Sequence, residues 1–236
     1  MAADPSGPAH YTRTDPSPRY RELVRMYRAL HDNGDPATGL PPSEIFAGYA
    51  MLRHMPMIAA AMRRVGARSV LDYGSGKGAL YHHDQDRLRD TDGTPVDLRR
   101  LWGVHEIALY DPAYPPFDVW PQERFDAAIC VDVMEHVPEE DVDWTIDDMF
   151  RAAARLVLVV VAGYPAIKLL PNGENPHVTL RSAGWWTDRF IAGRRRSHSD
   201  ASLMLVVRPS LEEREVVVQI AGAEAREPVR NVDIAP

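Results

Sequence analysis

Residues 69–80 read SVLDYGSGKGAL, and the fold of the chain turns on them. Val70 and Leu71 lead into the acid Asp72. Gly74, Gly76 and Gly78 then recur at every second position before Ala79 and Leu80 open a helical stretch. Glycines at such a point let the backbone turn sharply and come close to a ligand. A strand, a glycine turn and a helix together make the first unit of an open parallel sheet, with the helix N-terminus and its free N–H groups facing the bound group. The glycines alone are not decisive, because Gly74, Gly76 and Ala79 also satisfy the dinucleotide pattern G-x-G-x-x-G/A.

Working outward, further strand signals fall at 107–110, 127–131 and 156–161, separated by helical or loop segments. This is the alternation of a Rossmann-like α/β domain with a mostly parallel sheet. Two later runs, 203–207 and 216–220, flank Pro209 and acidic residues and read as a closing antiparallel pair. Upstream, Tyr20, Leu23, Val24, Tyr27 and Leu30 recur at helical spacing, which predicts an amphipathic helix over 19–30. Gly34, Pro36 and 39–42 break the chain, and Ser43 is a plausible N-cap for a helix to Met55. Pro56 is expected to kink or restart that helix, which Gly66 ends. The expected organisation is a mobile proline-rich tail over 1–18, N-terminal helices over 19–66 acting as a lid, the main domain over 67–221, and a C-terminal tail over 222–236.

With 236 residues the chain suits one α/β domain plus extensions. Its 45% hydrophobic and 26% charged residues belong to an ordinary globular protein, not a disordered one. The lone Cys130 allows neither an intramolecular disulfide nor a cysteine zinc site, which fits a reducing cytoplasm. No basic-then-apolar leader is seen, and the longest apolar run, 156–162, is too short to cross a bilayer, so no membrane association is expected. A net charge of −7 opposes a phosphate backbone, leaving Arg194, Arg195 and Arg196 as the only basic run. Such a run is more often a solvated helix end than a phosphate clamp.

Three acids stand at the ends of successive strand signals. Asp72 precedes the glycines, Asp111 ends the run in ALYDPAY, and Asp132 ends it in FDAAICVDVMEHV. Asp72 is placed to receive an ammonium group, from which a pyrophosphate gains nothing. Asp111 is placed to accept hydrogen bonds from both hydroxyls of a ribose. Asp132 brings a carboxylate to the strand ends where ligands of open α/β sheets bind. An ammonium, a carboxylate for the helix N-terminus and a ribose are the groups of S-adenosylmethionine, which these features favour over a nicotinamide cofactor. The local alternatives are a helix cap for Asp72 and a turn at Asp111–Pro112.

Motif by motif, VLDYGSGKG, LYDP, FDAAICVDVMEHV and the apolar run after MFRAAAR resemble the class I S-adenosylmethionine-dependent methyltransferases, over about residues 67–221. The resemblance implies a seven-stranded sheet whose last strand is antiparallel, a glycine loop around the methionine moiety and an acid on the ribose. Carried onto this sequence, those roles fall to Asp72, Gly74, Ser75, Gly76, Gly78 and Asp111, with Asp132 beside them. The stretch 112–124 departs from the pattern, being too short for a helix and a third strand. This leaves the adenine contacts open.

Methyl transfer from a sulfonium needs an aligned acceptor and removal of its proton. Histidine suits that task near neutral pH, so His136 and His177 are the candidate catalytic bases. If a helical turn starts at Asp132, then Asp132, Glu135 and His136 share one face. With His177 they resemble the ligand sets of two metal-dependent branches of the family, the small-RNA 2′-O-methyltransferases and the ubiquinone-pathway O-methyltransferases. That implies Mg²⁺ or Mn²⁺ on Asp132, Glu135, His136 and His177. Many metal-free relatives carry similar stretches in which the histidine merely packs.

The expected activity is methylation of a hydroxyl, or less readily an amine, of a small molecule. The alternatives are an RNA 2′-O-methyltransferase, a nicotinamide-dependent oxidoreductase and a non-catalytic cofactor-binding subunit. Of Trp185 and Trp186, one is expected in the core and the other can wall the acceptor pocket. Phe46, Tyr49 and Met51 are candidate lid residues, and Cys130 is expected to be buried.

Overall fold

The computed structural model describes residues 10–82, 88, 94 and 97–222. Six strands form one sheet: β1 Ser69–Tyr73, β2 Glu106–Tyr110, β3 Phe125–Val131, β4 Ala153–Ala162, β5 Ser202–Arg208 and β6 Val216–Ile220. Their order is β2-β1-β3-β4-β5-β6, with β6 antiparallel to β5 at the edge and every other pair parallel. The domain is therefore Rossmann-like α/β, as the alternation predicts. Growth of the sheet reverses at β1, which has β2 on one side and β3 on the other. Such a switch point opens a crevice at the carboxyl ends of the strands.

Both faces of the sheet are covered, which is why β4 reads as an unbroken apolar run. Val157, Val159 and Val161 pack in one core with α5 Glu139–Ala152 and with Trp186 and Phe190 of α6 Ala183–Arg196. Leu156, Leu158 and Val160 pack in the other with Ile58 and Met62 of α2 Met55–Val65 and Trp102 of α4 Leu98–Trp102. Cys130 is buried in the first core. No helix among the described residues is long and apolar enough to cross a membrane.

Among the described residues the sheet has six strands rather than seven, because 112–124 makes no strand. Pro112, Pro115 and Pro116 remove the N–H groups a strand would donate. The segment instead folds into a 3₁₀ turn, Pro115–Phe117, closed by Phe117 N–H to the Tyr114 carbonyl and Asp111 N–H to the Phe117 carbonyl.

α1 spans Pro18–Asn33 and starts at Ser17, whose hydroxyl oxygen accepts from Tyr20 N–H. The mobile tail expected over 1–18 is overturned from Arg13 onward. Ser17 is fully buried, donating its N–H (3.0 Å) and hydroxyl (2.5 Å) to the Asp141 carboxylate on α5. Arg13 pairs with Asp148 at 3.0 Å and lies over the Trp120 ring. Hydrogen bonds to charged groups contribute about 1.5–3 kcal/mol each, so docking here needs no apolar face. Residues 1–9 and 223–236 of the two expected tails lie outside the described residues.

The helix expected from Ser43 to Met55 is also replaced. A 3₁₀ turn Pro42–Glu44 gives way to a loop with left-handed Phe46 (φ 50°) and Gly48 (φ 89°), then to a second 3₁₀ turn, Tyr49–His54. α2 begins at Met55, so Pro56 sits in a first turn, where its missing N–H costs nothing. The chain leaves helical geometry over 45–48 because its carbonyls are used by the glycine turn. Phe46 accepts from Lys77 N–H (2.8 Å) and Ala47 from Ala79 N–H (3.2 Å). α6 ends on the basic run, where Arg194 donates to the carbonyls of Ala201 and Ala221 and Arg196 pairs with Asp147 at 2.8 Å.

Candidate functional site

A cavity of about 340 Å³ opens at the carboxyl ends of β1 and β3. The glycine turn, Asp111 and Asp132 form its floor and wall. α1 and residues 44–50 roof it, with Tyr27, His31, Phe46 and Tyr49 facing in. Phe46 and Tyr49 thus sit where a lid was expected, whereas Met51 is buried in the core on α2's side of the sheet.

Gly74, Gly76 and Gly78 all have left-handed backbones, at φ 79°, 57° and 59°. Every N–H from 74 to 79 is already used. Gly74 and Ser75 donate to the Tyr110 carbonyl, Gly76 to Asp111 Oδ2 (2.9 Å) and Gly78 to the Ser75 carbonyl. Lys77 and Ala79 donate to Phe46 and Ala47. The turn leading into α3 Ala79–His82 therefore offers a ligand no free N–H over 74–79. The close approach that demands glycine is by protein. A Cβ on Gly74 would lie 2.3 Å from Val133, and one on Gly76 would lie 2.1 Å from the Phe46 carbonyl oxygen.

Asp111 lines the cavity and ties two loops, accepting from Gly76 N–H on Oδ2 and from Ala113 N–H on Oδ1 (2.8 Å). Burial pushes its carboxyl above the usual range against the pull of these bonds. Each oxygen keeps a lone pair for a ligand. Gly74, Ser75 and Gly76 line the cavity too, but Asp72 and Gly78 do not. Alternation along β1 turns Tyr73 toward the cavity and Asp72 to the opposite face. There Asp72 is buried and accepts from the Tyr81 hydroxyl at 2.7 Å. Asp72 was expected to receive an ammonium group directly or through water, and it stands outside the cavity lining on the face of the sheet opposite Tyr73.

Burial, with the nearby Asp111 charge, pushes Asp72 up to about 7 from an ordinary value near 3.8. Between those values the folded chain holds a proton that the unfolded chain has lost. Stability contributed by this group therefore falls as pH rises from about 4 to about 7 and is flat above. Asp72→Asn keeps an acceptor for Tyr81 and removes the titration. It should unfold at higher denaturant than the wild type at pH 8, with the gap closing toward pH 4. Equal gaps at both pH values would refute the assignment.

Asp132 follows β3 with φ 54°, its N–H bonded to the Val160 carbonyl. It lines the cavity, and its Oδ1 is buried without a partner among the described residues. Burial raises its carboxyl pKa, while the charges of Arg208, His177 and Arg53 act the other way. No helical turn starts here, because only Met134–His136 is helical, as a 3₁₀ turn. Asp132 therefore does not share a face with Glu135 and His136, as the i, i+3, i+4 spacing had predicted.

Glu135, His136 and His177 do converge, with one ligand atom of each within 4.8 Å of the others. Thr179 brings the loop after β4 into place by donating its N–H to the Glu135 carbonyl and its hydroxyl to the Val137 carbonyl. Glu135 is fully buried. Its Oε1 accepts from Ala162 N–H (3.2 Å) and lies 4.0 Å from His177 Nε2, while Oε2 has no partner among the described residues. Burial, with the Asp132 charge, pushes its carboxyl well above the usual range.

His177 Nδ1 is 2.5 Å from the Tyr164 carbonyl, and His136 Nδ1 is 3.1 Å from the Pro176 carbonyl and 2.9 Å from the Tyr27 hydroxyl. A carbonyl only accepts, so this network assigns the proton of each ring to Nδ1 and leaves Nε2 with its lone pair. Burial pulls His136 down to about 3, with His177 adding to the effect, and lowers His177 as well. Burial thus favours the neutral form of both rings, the form that ligates a metal or takes a proton.

Trp186 is core, whereas Trp185 lies under Arg189 and beside Arg181, away from the cavity it was expected to wall. Tyr27 was missed as a site residue because its helical spacing signals only a buried face. The roles of the Tyr164 and Pro176 carbonyls have no side-chain signal at all.

Fold and cavity together define a Rossmann-like domain with a cavity at its switch point. Compared with protein-family models, curated proteins and solved structures, the chain matches none.

Proposed function

We propose that this chain is an S-adenosylmethionine-dependent methyltransferase acting in the cytoplasm on a hydroxyl, or less readily an amine, of a small molecule. One observation carries the reading: the cavity joins an acid at the ribose position to an aromatic roof. The used N–H groups of the turn are lost to a pyrophosphate and to a methionine carboxylate alike, so they do not separate the two cofactors. The roof does, because the faces of Tyr27, Phe46 and Tyr49 attract a sulfonium cation.

S-adenosylmethionine, when bound, supplies a methyl group on a positively charged sulfur. Asp111 accepts from the ribose hydroxyls, and Asp132 offers its unpartnered oxygen to the ammonium or the acceptor. With no ion on it, His136, in the same cavity, takes the acceptor's proton on Nε2; with an ion bound, that lone pair is a ligand instead.

The donor set also fits a divalent ion. Glu135 brings an unpartnered carboxylate oxygen, and His136 and His177 bring two neutral imidazoles. One carboxylate with two imidazoles suits Mn²⁺ better than Mg²⁺, since Mg²⁺ prefers oxygen throughout. An ion there would lower the pKa of an acceptor hydroxyl. It would also neutralise a buried acid that otherwise carries an energetic cost.

An RNA acceptor is disfavoured by the net charge of −7 and by the internal pairing of Arg194 and Arg196. Calorimetric titration tests the cofactor. S-adenosylmethionine and S-adenosylhomocysteine should bind at micromolar levels and NAD should give no heat. Asp111→Ala should weaken S-adenosylmethionine by about 1.5–3 kcal/mol, as expected for losing a charged hydrogen-bond partner. Tight NAD binding without S-adenosylmethionine binding would end this reading. Binding without turnover on any hydroxyl or amine panel would favour a non-catalytic subunit.

A further inference from the structure

Arg208 is the last residue of β5, paired in register with Ala162, whose N–H holds the Glu135 carboxylate. It is nine-tenths buried, at 6% exposure. Buried guanidinium groups normally spend their five N–H donors on carboxylates or carbonyls. Here the only charged partner among the described residues is Glu215, 3.5 Å from Nε. The guanidinium carbon stands 5.3 Å from the centre of the Tyr164 ring, which holds the fork from one side. No hydrogen bond to its terminal nitrogens exists among the described residues. Tyr164 in turn supplies the carbonyl that orients His177.

The Arg208 charge is felt at Asp132, Glu135 and Tyr164. The exposed Arg53, on the turn Tyr49–His54 that follows the cavity's roof, is felt at Asp132 and Tyr164 as well. Neither arginine lines the cavity, but Arg208 sits one strand from the Ala162 N–H that holds Glu135, and a fork whose terminal nitrogens hold no hydrogen bond among the described residues suits a planar or tetrahedral oxyanion.

We propose that Arg208, with Arg53 at the rim, binds an anionic group of the methyl acceptor, so that the acceptor is an acid carrying a carboxylate or phosphate as well as the group methylated. The proposal rests on the methyltransferase reading for the word acceptor only; the anion site stands or falls on its own. Nε stays with Glu215, and the two terminal nitrogens take the two oxygens of the ligand. Selectivity for acids over their amides and esters follows, because a neutral group leaves the guanidinium desolvated and unpaired.

The probes are benzoate, phenyl phosphate and the neutral benzamide, titrated by calorimetry into the full chain with and without S-adenosylhomocysteine. Benzoate or phenyl phosphate should bind and benzamide should not; whichever of the two binds more tightly identifies the oxyanion. Arg208→Gln should weaken the anion by about ten- to a hundredfold, the range for losing a charged hydrogen-bond partner. Arg208→Lys should recover only part of it, lacking the fork. Because Arg208→Gln strands Glu215, Arg208→Gln with Glu215→Gln serves as the folded control, its fold checked by its melting midpoint. Surface variant Arg53→Ala should weaken the anion by a smaller factor. Equal binding of benzoate and benzamide, no anion binding by the wild type, or unchanged affinity in both Arg208 variants would overturn the proposal. Failure of S-adenosylhomocysteine to bind while the anion result holds would reject the methyltransferase reading alone.

Discussion

Gly76→Val is expected to bind no measurable S-adenosylmethionine and to melt about 5–15 °C below the wild type. Two costs combine. At φ 57° a residue with a Cβ is strained by about 1–2 kcal/mol, more for a β-branched one. The new Cβ would also lie 2.1 Å from the Phe46 carbonyl oxygen, which is backbone and cannot rotate aside. Segment 45–48 must then lift, and the bonds from Lys77 and Ala79 to Phe46 and Ala47 go with it, at about 0.5–1.5 kcal/mol each. In a chain of this size each kcal/mol moves the midpoint by about 2–4 °C. Gly39→Val is the control. It has a similar φ of 72° and nothing within 4 Å of the added Cβ, so it should show the strain alone and bind normally. The sequence read as a glycine needed for the ligand is a glycine needed for the roof, and the ligand is lost because the roof is. An unaltered dissociation constant in Gly76→Val would show that the turn and roof do not hold the ligand.

The strands were legible because both faces of the sheet are buried. Runs such as LVLVVV in β4 have no polar interruption, so only their ends shifted. The closing antiparallel pair was legible from Pro209 and the acids around it. What failed was governed by contacts distant in sequence. Helical propensity over 43–55 lost to the demand of Lys77 and Ala79 for carbonyls, a demand that no local pattern at Phe46 or Ala47 records. The tail from Arg13 to Ser17 looked idle because docking was sought in apolar periodicity, while it docks through Asp141 and Asp148. Asp72 was placed in the cavity by its position at a strand end. Strand alternation, visible in the sequence, would have assigned it to the face opposite Tyr73.

The candidate metal ligands divide the same way. Glu135 and His136 are adjacent in the sequence, and their meeting with His177 depends on Thr179 pinning the loop after β4. Asp132 dropped out because a left-handed residue breaks the helical turn its spacing assumed. A side chain three residues from its partner is on the same face only if the backbone between them is helical.

Removal of divalent ions by a chelator is expected to abolish methyl transfer, and Mn²⁺ to restore it. The cluster explains both the loss and its pattern. Glu135, His136 and His177 each contribute one donor within a 4.8 Å span, so each single substitution to Ala should be about as damaging as all three together. Asp132→Ala, outside that span, should retain Mn²⁺ binding. A readout independent of any acceptor is thermal: Mn²⁺ at a hundred times its dissociation constant should stabilise the wild type by about 2.7 kcal/mol and leave Glu135→Ala unmoved. Without metal, Glu135→Ala should not be less stable than expected for a lost side chain, because the buried acid with a free Oε2 is itself a cost. Tyr27→Phe gives a graded result. It removes one of the two oxygens that hold His136 Nδ1 and should weaken Mn²⁺ by about ten- to a hundredfold, the usual effect of losing a group that orients a ligand. Under a metal-free mechanism the pattern is different. Only His136 would matter greatly, chelator would have no effect, and the rate would stay flat through neutral pH because burial holds His136 near 3. Full activity in chelator, with Mn²⁺ failing to shift the melting midpoint, would remove the ion from the mechanism and leave His136 as a neutral base in the same cavity.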